Sequence, residues 1–212
     1  MLHPLWYKYP KDTKTFPIDL QFFYGDSILV SPVTEENATS VSIYLPNDIF
    51  YDFKTLAPVQ GKGSFVKLTN IGPTVIPLHI KSGVVLPIRE KSAMTTKELR
   101  KNDFELIVTP DARGRATGDL YIDDGDSIVQ PATTSAKFAF STGRLDVSGK
   151  FGYKAGVKVA RVRFLNVNST PFLVTYDGKT VKRGDYSYDS KNKVLDVKVA
   201  AELTKGFTVQ YK

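Results

Sequence analysis

The chain has 212 residues, with 29 Lys and Arg against 22 Asp and Glu, and a formal net charge of +7 at pH 7. This length permits one large domain or two small ones, with a core that needs no covalent cross-link. Cysteine is absent, which excludes disulfides, zinc–thiolate sites and a thiol nucleophile. The basic residues are scattered rather than gathered into a stripe, so we expect no nucleic-acid partner.

Residues 1–26 differ in pattern from the rest of the chain. LHPLWYKYP (residues 2–10) reads as an apolar strand and carries the only tryptophan, Trp6. Apolar residues then crowd without strand alternation from Ile18 to Tyr24, which favours a helix there. We therefore expect residues 1–26 to continue a fold whose other elements lie upstream. We expect no contact with a membrane, because no apolar run approaches the ~20 residues of a membrane span.

Strand signals dominate after residue 26. Residues 41–45, 195–199 and 207–211 alternate apolar and polar side chains, as half-buried strands do. Turn pairs such as Asp177-Gly178 separate these segments at short intervals. The alternation stops at the polar run KSAMTTKELRK (residues 91–101), which predicts a domain boundary there. The chain is thus predicted to be mainly β, with two antiparallel β-sandwich domains at residues 27–97 and 98–212.

The stretch LYIDDGDS (residues 120–127) gathers Asp123, Asp124 and Asp126 around Gly125. Asp-Gly tolerates positive φ, so the pattern favours a polar turn between two strands, with residues 127–129 opening the second strand. A calcium or sugar contact is the alternative interpretation. The spacing of the acids does not match an EF-hand loop, however, so we expect no metal at this turn.

Other candidates for chemistry are few. The only histidines, His3 and His79, have no His, Cys or Glu partner at ligand spacing and are expected to be structural. Neither a G-x-S-x-G elbow nor a phosphate-binding glycine loop occurs, so we expect no cofactor. The densest aromatic clusters, at residues 22–24 and 50–53, are interpreted as core side chains, with a sugar-stacking platform as the alternative.

Two sequons indicate where the protein is made. Asn37-Ala38-Thr39 and Asn168-Ser169-Thr170 both satisfy N-x-[ST]. Each lies in a polar stretch that suits a surface loop. We therefore expect a secreted, extracellular protein that is glycosylated at Asn37 and Asn168.

Four stretches of the chain occur in a distinctive order. They are PLWYKYPKDTKTFPIDLQFFYGDSILVSPVTEE, YLPNDIFYDF, IPLHIKSGVVLP and LYIDDGDS, within residues 3–127. Together they resemble the C-terminal region of glycoside hydrolase family 31, above all its secreted fungal α-glucosidases. The chain departs from the family pattern at His3, Phe50 and Lys81-Ser82, which replace Arg, Trp and Arg-Gly. The order and spacing of the motifs are intact, and beyond residue 130 only the β pattern supports the resemblance.

The resemblance implies how the chain is divided into domains, and that the chain lacks the catalytic residues of the family. Residues 1–26 would be the last strand and helix of a catalytic (β/α)8 barrel, followed by a proximal and a distal β-domain. Family members retain anomeric configuration with two Asp residues, a nucleophile and an acid/base. The nucleophile lies in a W-x-DMNE-type motif that this sequence lacks, so no catalytic residue is carried over to this chain. The DDG turn belongs to the distal domain and corresponds to neither carboxylate.

Three functions follow as hypotheses. Under the first hypothesis the chain is the C-terminal part of an α-glucosidase. Under the second it is an autonomous starch- or maltooligosaccharide-binding module, and under the third it is a structural β-sandwich. The barrel-like residues 1–26 favour the first, because a free module is expected to begin near Ser27. Its partners would be the upstream barrel and, through that barrel, the α-glucoside substrate. We expect the isolated chain to be inactive and to dock on the barrel through Leu2, Leu5, Trp6 and residues 22–24.

Overall fold

The computed structural model describes all 212 residues and confirms that the chain is mainly β. Two helices of one turn each are present, α1 (Leu5–Lys8) and α2 (Thr96–Leu99). Short 3-10 turns lie at Thr13–Thr15 and Arg183–Asp185. None of these helices has the length and hydrophobicity needed to cross a membrane. The chain divides into two compact units, which we call unit 1 (Met1–Ser82) and unit 2 (Gly83–Lys212).

Unit 1 contains a six-stranded antiparallel sheet and a two-stranded ribbon. Its strands are β1 (Leu2–Pro4), β2 (Phe22–Tyr24), β3 (Ile28–Val30), β4 (Ser40–Leu45), β5 (Ile49–Asp52), β6 (Pro58–Gln60), β7 (Ser64–Thr69) and β8 (Leu78–Lys81). The sheet has the order β1-β2-β3-β8-β5-β6, and β4 pairs with β7 to form the ribbon. The core contains Leu5, Phe23, Leu29, Ile43 and Phe50, so α1, the sheet and the ribbon share one apolar interior.

The structure corrects the expectation of a helix at residues 18–24. Residues 22–24 form β2, which pairs antiparallel with β1 on one side and β3 on the other. Within β2, Phe23 is fully buried while Tyr24 is exposed. Pairing on both edges satisfies the backbone of this short apolar stretch, and that long-range pairing decides against a helix.

Unit 2 is built from one continuous sheet of eleven strands. They are β9 (Val84–Arg89), β10 (Phe104–Thr109), β11 (Arg115–Ile122), β12 (Thr134–Ser141), β13 (Arg144–Phe151), β14 (Lys158–Phe164), β15 (Val174–Tyr176), β16 (Lys179–Thr180), β17 (Tyr186–Asp189), β18 (Val194–Glu202) and β19 (Phe207–Tyr211). The order is β16-β15-β19-β13-β12-β11-β9-β10-β14-β18-β17. The rings of Phe164 in β14 and Tyr211 in β19 lie 5.1 Å apart although five strands separate them in the sheet. The sheet therefore folds over itself into a sandwich.

Two details of unit 2 differ from the sequence-based expectation. Pairing is antiparallel except between β10 and β14, which are parallel, and at one parallel bridge between β9 and β11. All six residues of β10 are buried, and burial on both faces is typical of strands in parallel pairs. Because β9 pairs with β10 along its full length, residues 84–89 belong to unit 2. The two units therefore divide at residues 82–83, before the polar run at which the sequence predicts the boundary.

Candidate functional site

Large apolar side chains are exposed along the first 24 residues of unit 1. Trp6 and Tyr7 on α1 are 47% and 55% exposed, and Tyr24 at the end of β2 is 62% exposed. We call this set the exposed face, and it comprises Leu2, Trp6, Tyr7, Phe16, Leu20 and Tyr24. Leu5 and Phe23, which the sequence assigns to the docking surface, are instead fully buried in the core. These two buried side chains anchor the segment to the core, while the side chains of the exposed face point outward.

A carboxylate fixes the chain just after α1. The Tyr9 hydroxyl donates to Asp48 Oδ2 over 2.9 Å, and Lys81 Nζ lies 3.1 Å from the same oxygen. The other oxygen, Oδ1, accepts from the Ile49 N–H at 2.8 Å and from Ser82 Oγ at 3.0 Å. Burial raises the pKa of Asp48, but the Lys81 charge and the hydrogen bonds outweigh it, so the pKa lies below its usual value. Asp48 is thus held as an anion with both oxygens occupied.

A second carboxylate holds the following turn. Asp12 caps the 3-10 turn through Oδ1, which accepts from the Lys14 N–H at 3.3 Å. Its Oδ2 accepts from the Tyr44 hydroxyl at 2.7 Å. Desolvation and this carboxylate together raise the pKa of Tyr44 to about 12. Tyr44 therefore remains a neutral hydrogen-bond donor across the physiological range and ties the turn to the ribbon.

A surface groove of about 550 Å³ lies beside these two carboxylates, lined by Lys8, Tyr9, Pro10, Lys11, Asp12 and Asn47. Retaining glycoside hydrolysis requires one carboxyl that donates a proton and a second that attacks carbon. Asp48 does not meet the first requirement because its lowered pKa keeps it ionised. The carboxylate oxygens of Asp12 and Asp48 accept hydrogen bonds from groups within unit 1. The arrangement is suited to holding residues 9–15 in place rather than to bond cleavage.

Gln21 joins the sheet to the ribbon inside unit 1. It is buried, and its amide Nε2 donates to Ser31 Oγ at 2.9 Å and to the Tyr44 carbonyl at 3.2 Å. Its Oε1 accepts from the Tyr44 N–H at 2.6 Å. The side chain thus pairs with both backbone groups of Tyr44, as a neighbouring strand would do. This role explains a Gln in the stretch DLQF (residues 19–22), which is part of the family-like motif.

The acidic stretch at residues 123–127 is a bend closed by Asp124. Its Oδ1 accepts from the N–H groups of Asp126 and Ser127, each at 3.0 Å, and its Oδ2 accepts from Ser127 Oγ at 2.6 Å. These hydrogen bonds hold the pKa of Asp124 well below its usual range. The carboxylate thus stabilises its own bend. No group of three or more His, Cys, Asp or Glu side chains that could hold a metal ion occurs in the chain.

Arg100 covers the same bend. Its Nη2 donates to the Asp123 carbonyl at 2.7 Å and to Asp123 Oδ1 at 2.8 Å. Gly125 has φ of +76°, and a Cβ placed there would lie 2.2 Å from Arg100 Cζ. Glycine is therefore favoured at this position by its positive φ, whereas the guanidinium is the mobile end of an exposed side chain and can move away from a Cβ.

The strand expected at residues 127–129 is absent. Strand β11 ends at Ile122 and β12 begins only at Thr134. Ile128 and Val129 are 102% and 85% exposed and pair with no neighbouring strand. Intrinsic strand propensity alone does not produce a strand where no partner edge or core surface is available.

The histidines and the sequons occupy distinct environments. His3 stacks on Tyr7 with ring centroids 4.6 Å apart. His79 is buried in β8, and burial lowers its pKa, although the Asp52 carboxylate acts in the opposite direction. Asn37 and Asn168 are exposed and accessible for modification, which itself remains a prediction.

Sequence reasoning missed an aromatic groove on unit 2. The clusters at residues 22–24 and 50–53 supply the core with Phe23, Phe50 and Tyr51, which are fully buried, although Tyr24 is exposed. A further exposed aromatic surface, besides the exposed face of unit 1, is a cavity of about 560 Å³, lined by Thr170, Pro171, Phe172, Arg183, Tyr186, Ser187 and Tyr188. These residues come from two stretches that no shared motif connects. The one local signal is Phe172, an aromatic residue that follows the polar run of residues 166–170.

The sequence matches one family model, described as the glycosyl hydrolase family 31 C-terminal domain, over residues 1–86. The chain is 49% identical over 203 residues to a probable alpha/beta-glucosidase agdC of Neosartorya fischeri, covering 96% of this chain and 22% of that protein. It is 47% identical over 204 residues to a probable alpha/beta-glucosidase of Arthroderma benhamiae, covering 96% and 24%. An Aspergillus niger alpha-glucosidase is 32% identical over 210 residues, with 97% and 21% covered. The chain thus spans less than a quarter of each relative.

Solved structures share the fold. The glucosidase II alpha subunit matches with a TM-score of 0.81 and 23% identity, over 100% of this chain and 25% of that chain. A Flavobacterium johnsoniae GH31 dextranase matches with a TM-score of 0.77 and 20% identity, over 100% and 29%. At these identities the likeness concerns the fold alone. It extends over both units, including the part of unit 2 that the family model does not cover.

Proposed function

Since the chain belongs to glycosyl hydrolase family 31, we propose that it is the C-terminal part of a retaining α-glucosidase and supports the catalytic barrel of that enzyme. The enzyme would hydrolyse terminal α-glucosidic bonds of maltose and maltooligosaccharides. The names of the fungal relatives support the glucosidase activity. The catalytic carboxylates would come from upstream sequence, because the family nucleophile motif does not occur in these 212 residues.

The exposed face of unit 1 carries this proposal. Six large apolar side chains within 24 residues are about half exposed or more. Complete burial of a fully exposed side chain of this size contributes about 1.5–3 kcal/mol, so each of these half-exposed side chains could add about half of that to an assembly. A monomer that leaves this much apolar surface in water is expected to use it as an interface. The partner would be the upstream barrel, with an apolar surface that receives Trp6, Phe16 and Tyr24.

The polar contacts of unit 1 would make that interface rigid. Tyr9 is held by Asp48, Tyr44 holds Asp12, and Lys8 pairs with Asp26. These contacts bracket α1 and the turn that follows it, so the exposed rings are presented by a fixed backbone. A preformed surface loses less conformational entropy on binding than a flexible one.

Reassembly tests the proposal. The chain and the upstream region of the enzyme are produced as two polypeptides, mixed, and assayed with maltose and a chromogenic α-glucoside. We expect no turnover by the 212-residue chain alone and measurable turnover after mixing. The double variant Trp6→Ala/Tyr24→Ala should weaken assembly at least tenfold, whereas Ile76→Ala, which removes an equally exposed apolar side chain outside the exposed face, should not. Turnover by the isolated chain, free of all upstream protein, would contradict the proposal.

Two finer features belong to the same proposal. Retention is tested by NMR, which shows whether the reassembled enzyme first releases the α- or the β-anomer of glucose. Secretion is proposed from the exposed sequons at Asn37 and Asn168. Expression in a eukaryotic secretory host should give a chain whose mass falls on treatment with peptide N-glycosidase. An unchanged mass would speak against glycosylation.

A further inference from the structure

The ring of Phe172 is presented to solvent by a fixed backbone. Phe172 is 83% exposed, the preceding Pro171 is buried, and the Phe172 N–H donates to the Lys212 carbonyl at 2.8 Å. Lys212 in turn donates its own N–H to the Leu173 carbonyl at 2.9 Å. A single exposed apolar ring is common on protein surfaces, but this one lines a cavity of about 560 Å³ together with two tyrosines, so it is placed to stack on a ligand.

Two tyrosines form the opposite part of the groove. The Tyr188 hydroxyl donates to the Val167 carbonyl at 2.8 Å, which fixes the position of its ring. Tyr186 begins β17 and pairs with Val197 of β18. The cavity of about 560 Å³ lies within the ~300–1,000 Å³ range of small-molecule sites. The groove therefore combines a preformed shape with aromatic walls.

A smaller cavity of about 200 Å³ adjoins the groove through Tyr186 and Ser187, which line both. Its remaining lining residues are Arg161, Gly184, Asp185, Asp196 and Lys198. Two cations and two carboxylates are thus present, and Arg161 pairs with Asp196 at 3.1 Å. Such balanced charge gives neither an anion nor a cation a net attraction. It supplies many donors and acceptors for a neutral ligand rich in hydroxyl groups.

We propose that this groove is an accessory site for linear α-glucan chains. The apolar C–H face of one glucose ring would stack on Phe172, while sugar hydroxyls bond to Arg183 and Ser187 and to the adjoining charged cavity. The site would bind polymer without cleaving it. The choice of glucan rests on the proposed function, since an α-glucosidase meets such chains as substrates.

Affinity electrophoresis of the 212-residue chain tests the site. The chain is made in bacteria, without glycans, and run in native gels that contain amylopectin or hydroxyethyl cellulose. We expect retardation by amylopectin alone, reversed by maltoheptaose. Phe172→Ala and Arg183→Ala should each weaken binding about tenfold, because each removes one side chain that contacts the sugar. Tyr121→Ala removes an exposed aromatic residue elsewhere on unit 2 and should leave the affinity unchanged.

The results of this experiment either support or refute the glucan site. Phe172 and Arg183 are both exposed, so their variants should keep the near-ultraviolet circular dichroism of the parent chain. The proposal fails if the parent chain is not retarded, or if Phe172→Ala is retarded as strongly as the parent. This failure is separate from failure of the α-glucosidase proposal, because reassembly is scored on a small glucoside that does not depend on the groove. Retardation without reassembled turnover would leave the glucan site in place.

Discussion

The most direct test of the unit 1 architecture is the removal of the Gln21 amide. This side chain bridges the sheet and the ribbon, and it is the hydrogen-bond partner of three groups in a buried region. They are the N–H and the C=O of Tyr44 and the hydroxyl of Ser31. In Gln21→Ala all three lose their partner at once.

The expected loss of stability is large. A buried polar group left without its partner costs about 1–3 kcal/mol, and each methylene withdrawn from the core costs about 0.8 kcal/mol. Three polar groups and the Cγ methylene together give about 4 kcal/mol for Gln21→Ala, since relaxation recovers part of the sum. Gln21→Met keeps the volume but cannot hydrogen bond, so it should lose about 3 kcal/mol through the polar groups alone.

Urea unfolding followed by tryptophan fluorescence measures these values, because Trp6 is the only tryptophan and lies in unit 1. Gln60→Ala is the matched control. Gln60 is exposed, and its amide donates to the carbonyls of Asp48 and Gly61. Its loss should cost about 0.5 kcal/mol or less. If Gln21→Met unfolds at the same urea concentration as Gln60→Ala, the bridge does not hold sheet and ribbon together.

Three further predictions concern other parts of the chain. Gly125→Ala and Gly114→Ala should each destabilise unit 2 by about 1 kcal/mol in thermal melts, because both positions have positive φ and the Arg100 guanidinium, at the end of an exposed side chain, can move away from the new Cβ; a loss at Gly125 several times that at Gly114 would refute this. Asp48→Asn should cost unit 1 about 2 kcal/mol at pH 7. The folded pKa of Asp48 is lowered, so its contribution is fully present above the unfolded value of about 3.9 and is lost as the pH falls from there through the folded pKa. The gap to the parent should therefore narrow in acid; a gap of the same size at pH 5 and at pH 2 would contradict the assignment. Asn168→Gln should remove one glycan mass from protein made in a secretory host, and an unchanged mass would argue against that site.

The family could be recognised from residues 3–127 because the motifs in this range satisfy local structural requirements. The family resemblance drawn from them is confirmed by the family model and by the fungal relatives. Gln21 and Gly125 illustrate the reason. Gln21 supplies an amide that bonds two backbone groups at once, and Gly125 adopts a left-handed backbone that glycine adopts most readily. Such positions leave a recognisable residue in the sequence.

The misplaced elements share a different physical cause. Residues 18–24 lack strand alternation, yet residues 22–24 form β2 because β1 and β3 supply hydrogen-bond partners on both edges. Ile128 and Val129 have high strand propensity, yet no edge is available to them. In both cases the deciding partner lies outside the window in which periodicity is read. Short strands are therefore set by tertiary pairing more than by local pattern.

The groove on unit 2 was beyond sequence reasoning for a related reason, and the same reason makes it informative. Phe172 and Arg183 are both exposed, so substitution of either side chain is expected to change the stability of the fold little. The backbone around Phe172, by contrast, is fixed by the Pro171 and Lys212 contacts. The position of the Phe172 backbone and the identity of its side chain therefore have separate physical causes. Folding accounts for the position of Phe172, and the proposed contact with a glucan would account for its apolar ring.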